Sequence, residues 1–255
     1  MNDRKDPIGV FDSGVGGISS LASMTRLLPG ERFIYYGDTA NAPYGTKTTG
    51  EVIACVRNVV AELMKENIKA IVIACNTATG AAAGVLRQEC GIPVIGMEPA
   101  LKPASEARKN GRILVMATPL ALRQEKFTHL MSLYGEGAER VPCEGLMEFV
   151  ENEDFSGAQR YLHGLFARSG TDDVDAVVLG CTHYVFLKDM IRDMLPEHIL
   201  VTDGNEGTAR QLKRVLAERD LLNDAEKGSV AFRTSGDPEH VLAVMERLYQ
   251  RAVMG

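Results

Sequence analysis

No stretch of the 255 residues approaches the roughly 18–20 consecutive apolar residues of a membrane span. The opening segment, Met1-Asn-Asp-Arg-Lys-Asp-Pro7, has none of the apolar character of a secretory signal. A cytoplasmic protein without a membrane partner, its thiols reduced, is the expectation. Cysteine is sparse, at 55, 75, 90, 143 and 181, an odd number with no CxxC pair. Neither a disulfide framework nor a thiolate zinc site is indicated, so no metal is expected. There is also no block of basic residues: 28 Lys and Arg face 34 Asp and Glu, for a net charge of −6. That balance argues against nucleic acid as the main partner. It leaves room for a small anion, because helix starts and backbone N–H groups make locally positive pockets.

What the chain does have is alternation. Apolar runs that read as strands fall at Ile8–Phe11, Arg32–Tyr36, Ala70–Ala74, Pro93–Ile95, Arg112–Met116, Arg140–Pro142, Ala176–Leu179 and Ile199–Thr202. A weaker one spans Val230–Arg233. Helical periods lie between them at Ile18–Leu28, Thr48–Glu66, Thr77–Glu89, Leu120–Leu133, Gly157–Ala167 and Gly207–Arg219. Strand and helix in turn predict an α/β fold with mostly parallel sheets and right-handed crossovers.

A faint repeat accompanies the alternation. Ile8-Gly-Val-Phe-Asp-Ser13 resembles Ile113-Leu-Val-Met-Ala-Thr118, and Arg32-Phe-Ile-Tyr resembles Arg140-Val-Pro-Cys. Ala70-Ile-Val-Ile-Ala-Cys75 and Ala176-Val-Val-Leu-Gly-Cys181 likewise both run an apolar strand into a cysteine. Two duplicated α/β domains are expected, 1–98 with 210–255 and 99–209, divided near Glu98–Pro103 where two prolines fall.

The residue past the carboxyl end of a parallel strand is where open α/β sheets hold ligands. Cys75-Asn76-Thr77 and Cys181-Thr182-His183 sit at two such ends, where Asn and Thr groups beside helix-start N–H donors can clamp a carboxylate. One such cysteine reads as buried packing; two at matched strand ends read as function. His183 either orients or protonates Cys181 or caps a helix. Asp12-Ser-Gly-Val-Gly-Gly17 opens a helix after the first strand. Its spacing is not GxGxxG, so a dinucleotide is not expected. It reads either as a plain turn or as a site in which Asp12 is an ammonium partner or a base. Asp38-Thr-Ala-Asn-Ala-Pro-Tyr44-Gly45 is either a surface turn or an ordered loop presenting N–H groups and a phenol. Among Glu144, Glu148 and Glu151 the spacing selects none.

Together, Gly9-Val-Phe-Asp-Ser-Gly-Val-Gly-Gly17, Tyr36-Gly-Asp-Thr-Ala-Asn-Ala-Pro-Tyr-Gly45, Ala74-Cys-Asn-Thr-Ala78 and Gly180-Cys-Thr-His-Tyr184 resemble the glutamate racemase family. The likeness continues in order through Thr202-Asp-Gly204 to Thr234-Ser-Gly-Asp237. It implies two pseudo-symmetric α/β domains, the active site in the cleft between them, no cofactor, glutamate as substrate, a homodimer and D-glutamate made for peptidoglycan. It further implies that Cys75 and Cys181 are the catalytic acid/bases, Cys75 taking the α-proton of D-glutamate and Cys181 that of L-glutamate. Asp12 is implied to assist Cys75, and His183 to assist Cys181. Substrate contacts are implied at Asp12, Ser13, Tyr44, Gly45, Asn76, Thr77, Thr182 and His183. The auxiliary glutamate of the family best matches Glu151, with Glu148 as a rival because Glu144 stands where the family has proline. Aspartate or hydantoin racemases and a two-domain amino-acid-binding protein are the competing readings.

Overall fold

The computed structural model describes residues 3–254. Its strands are β1 (Ile8–Asp12), β2 (Arg32–Gly37), β3 (Ala70–Ile73), β4 (Val94–Gly96), β5 (Arg112–Ala117), β6 (Ala138–Pro142), β7 (Val174–Leu179), β8 (Leu200–Asp203) and β9 (Ser229–Thr234). The helices are α1 (Ile18–Leu27), α2 (Thr49–Met64), α3 (Asn76–Glu89), α4 (Leu101–Ala107), α5 (Pro119–Arg123), α6 (Glu125–Tyr134), α7 (Leu146–Glu151), α8 (Phe155–Ser169), α9 (Lys188–Met194), α10 (Asn205–Glu218) and α11 (Pro238–Met254).

Two separate sheets form, and every strand pair in them is parallel. The first runs β4-β3-β1-β2-β9 and the second β8-β7-β5-β6. Without β9 the two orders are the same, each strand matched to the one four places later. The matched strands start 104 residues apart (8 to 112, 70 to 174) or 106 apart (32 to 138, 94 to 200). The faint repeat of the sequence is therefore a repeat of topology.

Packing follows from burial on both faces. In the first sheet Ile8, Val10 and Val72 pack under α1, α10 and α11, while Phe11, Ile71 and Ile73 pack under α2 and α3. In the second, Leu114, Met116 and Val177 meet α7, α8 and α9, and Ile113, Val115 and Ala176 meet α4, α5 and α6. Each repeat thus gives its last helix to the other sheet. Leu101 and Ala104 of α4 lie in the second core, and Ala209, Leu212 and Leu216 of α10 in the first. At the amino-terminal end of the first sheet, Lys69 forms a fully buried ion pair with Glu31 at 2.6 Å and also donates to the Leu221 carbonyl.

Several helices depart from the sequence reading. Leu120–Leu133 is not one helix but two, because Gln124 has extended backbone (ψ 146°) between α5 and α6. The proline-marked boundary holds α4, in which Pro103 occupies the first turn, where a helix needs no N–H from it. α7 is too short to show a period and begins after Gly145 at φ +78°.

Candidate active site

The carboxyl ends of β1, β3 and β7 converge where the two sheets face each other. Asp12 ends β1 and is fully buried. Its Oδ1 accepts from the Ser13 hydroxyl at 3.0 Å, and its Oδ2 accepts from the Thr182 hydroxyl of the opposite lobe at 2.8 Å. Cys75 leaves β3 in extended backbone and stands at the N-cap position of α3, where its Sγ accepts from the Ala78 N–H at 3.5 Å. The Ser13 hydroxyl lies 3.8 Å from the same sulfur. Burial pushes the Cys75 thiol well up, and the charge of Asp12 adds to this; the Ala78 N–H and the Ser13 hydroxyl oppose it.

Cys181 leaves β7 in matching extended backbone, and its Sγ is 3.7 Å from His183 Nδ1. The other ring nitrogen, Nε2, is 3.0 Å from Glu151 Oε1 at the end of α7. Burial works against charge on His183, yet its bonds to Cys181 and Glu151 outweigh burial and hold the imidazole well above its usual range. Burial also raises Glu151, but the bond to His183, the imidazolium charge and the Val15 N–H outweigh it and keep the carboxylate below its ordinary range. Glu148 is exposed on the same helix. His183 is bonded by Glu151 and not by Glu148.

The glycines of the first turn are explained by what they touch. A Cβ on Gly16 would lie 2.3 Å from His183 Nδ1, and one on Gly14 would lie 2.1 Å from Glu151 Oε1. The turn closes onto His183 and Glu151 of the opposite lobe, and only glycine lets the backbone come so near.

Asn76 and Thr77 begin α3. The Asn76 amide donates to Met97 Sδ at 3.4 Å, and its Oδ1 is the one buried side-chain oxygen or nitrogen without a partner among the described residues. The Thr77 hydroxyl is 3.0 Å from that of Thr118 in the opposite lobe. Asp12, Ser13, Gly45, Cys75, Asn76, Thr77, Cys181, Thr182 and His183 all line one cavity of about 10 Å³. That is close to the least space a single water occupies.

Two expected residues lie outside that lining. Glu151 stands behind His183. Tyr44 is buried with its hydroxyl donating to Asp38 Oδ2 at 2.5 Å, so its phenol is spent within its own loop. Gly45, next in the chain, reaches the lining. Thr118, Met147 and Gly180 also line the cavity and were not singled out from the sequence. For Thr118 the signal was present, since it is the repeat partner of Ser13.

A family model described as Asp/Glu/hydantoin racemase matches residues 9–212. A glutamate racemase of Clostridium acetobutylicum is 47% identical over 254 residues, covering 97% of this chain and 99% of that protein. Among solved structures, a glutamate racemase isoform from Bacillus anthracis superposes with a TM-score of 0.86 at 31% identity, over 99% of this chain and 95% of the other. The Escherichia coli glutamate racemase, solved with L-glutamate and the activator UDP-MurNAc-ala, gives 0.83 at 28% identity over 96% and 95%. Since the model takes in most of the chain and the relatives nearly all of it, the chain belongs to the Asp/Glu/hydantoin racemase family and is an amino-acid racemase.

Proposed function

We propose that the chain interconverts L- and D-glutamate without a cofactor, with Cys75 and Cys181 as two opposed acid/bases. The observation that carries this reading is the placement of two thiols at equivalent strand ends of a duplicated fold, facing one cavity with different partners. Racemisation removes a proton from one face of the α-carbon and delivers another to the opposite face. For D-glutamate, the Cys75 thiolate takes the α-proton while the Cys181 thiol gives its own. The product is L-glutamate, and the protein is left with a Cys75 thiol and a Cys181 thiolate, ready for the reverse. General acid/base groups on both walls do this without moving the substrate.

The surroundings of the sulfurs suit the task. With a carboxylate at one ring nitrogen and sulfur at the other, an imidazolium satisfies both, so negative charge on Cys181 meets His183 as a cation. Glu151, whose side chain is 27% exposed against 2% for His183, links that pair to solvent and lets protons exchange between turnovers. Asp12 disfavours charge on Cys75 until a substrate ammonium enters and offsets it. The unpartnered Oδ1 of Asn76 supplies an acceptor for the same ammonium. Thr77 and Thr182 hydroxyls and the N–H groups opening α3 suit the carboxylate. Such fixed donors, with water excluded, stabilise the developing carbanion. A glutamate is several times larger than the cavity, so the lobes part to admit it and close again.

The names of the relatives favour glutamate over aspartate or a hydantoin. The domain division 1–98 with 210–255 and 99–209 belongs to this reading, supported by the packing of β9, α10 and α11 on the first sheet. So do a homodimeric assembly, a cytoplasmic setting and the use of D-glutamate for peptidoglycan.

The test is L-glutamate in D₂O without added cofactor, followed by NMR and optical rotation. Deuterium entering the α-position with loss of rotation is the expected result. Binding without exchange overturns catalysis at this site, and turnover of aspartate alone overturns the substrate.

A second expectation concerns pH. Glu151 helps hold His183 protonated, so Glu151→Gln lets the imidazole lose its proton at lower pH. The alkaline limb of kcat/KM then moves down by roughly one pH unit or more. An unmoved limb removes Glu151 from this role.

A further inference from the structure

Gln124 is not accounted for by the fold or by the reaction. It stands at the corner between α5 and α6, only 8% exposed, its backbone fixed as the end of one helix and the start of the next. From there its side chain crosses to the opposite lobe. Nε2 donates to the Thr77 carbonyl at 2.9 Å. The carbonyl of a first-turn residue already accepts the N–H four positions on, so α3 does not itself require this bond. The amide lies over Gly80, where a Cβ would meet Oε1 at 1.7 Å and Cδ at 2.5 Å. Thr77 is thus held twice by the far lobe, its hydroxyl by Thr118 and its carbonyl by Gln124, two positions from Cys75. Beside them Leu120 of α5 is buried among Tyr44, Cys75 and Ala78 of the first lobe.

We propose that Gln124 is a positioning residue that latches the closed cleft, with Gly80 as its seat. The bond spans the gap that must widen for substrate to enter, so it exists only when the lobes meet. It acts through Thr77, whose place at the start of α3 sets the carboxylate clamp. This rests on the reading of the interlobe cavity as the site of racemisation. Either enantiomer closes the same cleft, so the latch acts on both alike.

Three variants test it: Gln124→Ala, Gly80→Ala and the two combined. Gln124→Ala should raise KM for L- and D-glutamate together by about 5- to 10-fold, the range of one hydrogen bond, with kcat within about twofold. Gly80→Ala should raise KM to a similar extent, because the methyl takes the seat and displaces the amide, the tip of a flexible side chain, from it. Its melting temperature should stay level or rise, since alanine is the better helix former. In the double variant the methyl has no amide left to displace, so the loss should be that of Gln124→Ala alone. A merely structural role predicts the reverse, with two losses that add. A double variant whose loss is the product of the two single losses overturns the latch. Hydrogen exchange over residues 75–82 of the free protein reads the latch without catalysis, with faster exchange expected in Gln124→Ala. If the unmodified chain racemises no glutamate, the functional reading falls while exchange still decides the latch; unchanged protection in Gln124→Ala overturns it.

Discussion

Serine at either Cys75 or Cys181 is expected to lower glutamate racemisation by about 10³-fold or more, at the upper end of what one acid/base group contributes. The substitution keeps size and shape, and each sulfur makes only long contacts of 3.5–3.8 Å, so the fold should survive. What is lost is acidity, because a hydroxyl is a far weaker acid than a thiol with its pKa of ~8.5. The informative part is what remains. With Cys75→Ser, Cys181 still faces the α-proton of L-glutamate, removes it and returns one from solvent to the same face. L-glutamate in D₂O should therefore gain α-deuterium and keep its configuration, while D-glutamate stays unlabelled. Cys181→Ser should show the mirror result. Cys143 makes the control: it is buried outside the cavity lining, donates to the Val141 carbonyl and is pushed well up by burial. Cys143→Ser should keep most of the activity. Racemisation within tenfold of the unmodified chain in either catalytic variant overturns the two-base assignment.

The sequence revealed the strands and hid part of the helices, for a physical reason. Buried parallel strands such as Ala70–Ile73 and Val174–Leu179 are apolar on both faces, and that run is visible in any reading frame. α7 and α9 are six and seven residues long, too short for a 3.6-residue period to show. The extended backbone at Gln124 breaks a continuous apolar period without proline or glycine, so nothing local marks it. In the site, Cys75 and Cys181 were legible because the repeat placed both at strand ends. Thr118 could have been found by carrying Ser13 through the same repeat. Glu151 could not be separated from Glu148 by spacing, since the choice depends on a histidine 32 positions away across the fold. The direction of the Tyr44 phenol, left open by the sequence, is set by its acceptor Asp38 six residues earlier in the same loop. Local composition suggests that a side chain is polar and ordered, but not which way it points.

Gly16→Ala is expected to cost about 10² to 10³ in kcat/KM without unfolding the chain, although the residue carries no functional group. The added methyl would sit 2.3 Å from His183 Nδ1, 2.6 Å from Cε1 and 2.7 Å from Cγ. Those are atoms of a rigid ring only 2% exposed and pinned by Cys181 on one side and Glu151 on the other. The ring cannot yield without losing the sulfur, so the variant acts as a displacement of His183. Gly14→Ala makes the contrast. There the clash at 2.1 Å is with Glu151 Oε1, the tip of a longer side chain with access to solvent, which can swing aside. A loss nearer tenfold is expected. Combination with His183→Ala separates the routes: if Gly16 matters only by leaving room for the imidazole, Gly16→Ala costs almost nothing once the ring is gone. The two losses are then far from additive, as for residues acting through one contact. Steady-state kinetics on the single and double variants measure this, and losses that simply multiply would mean that Gly16 serves the turn itself rather than the histidine.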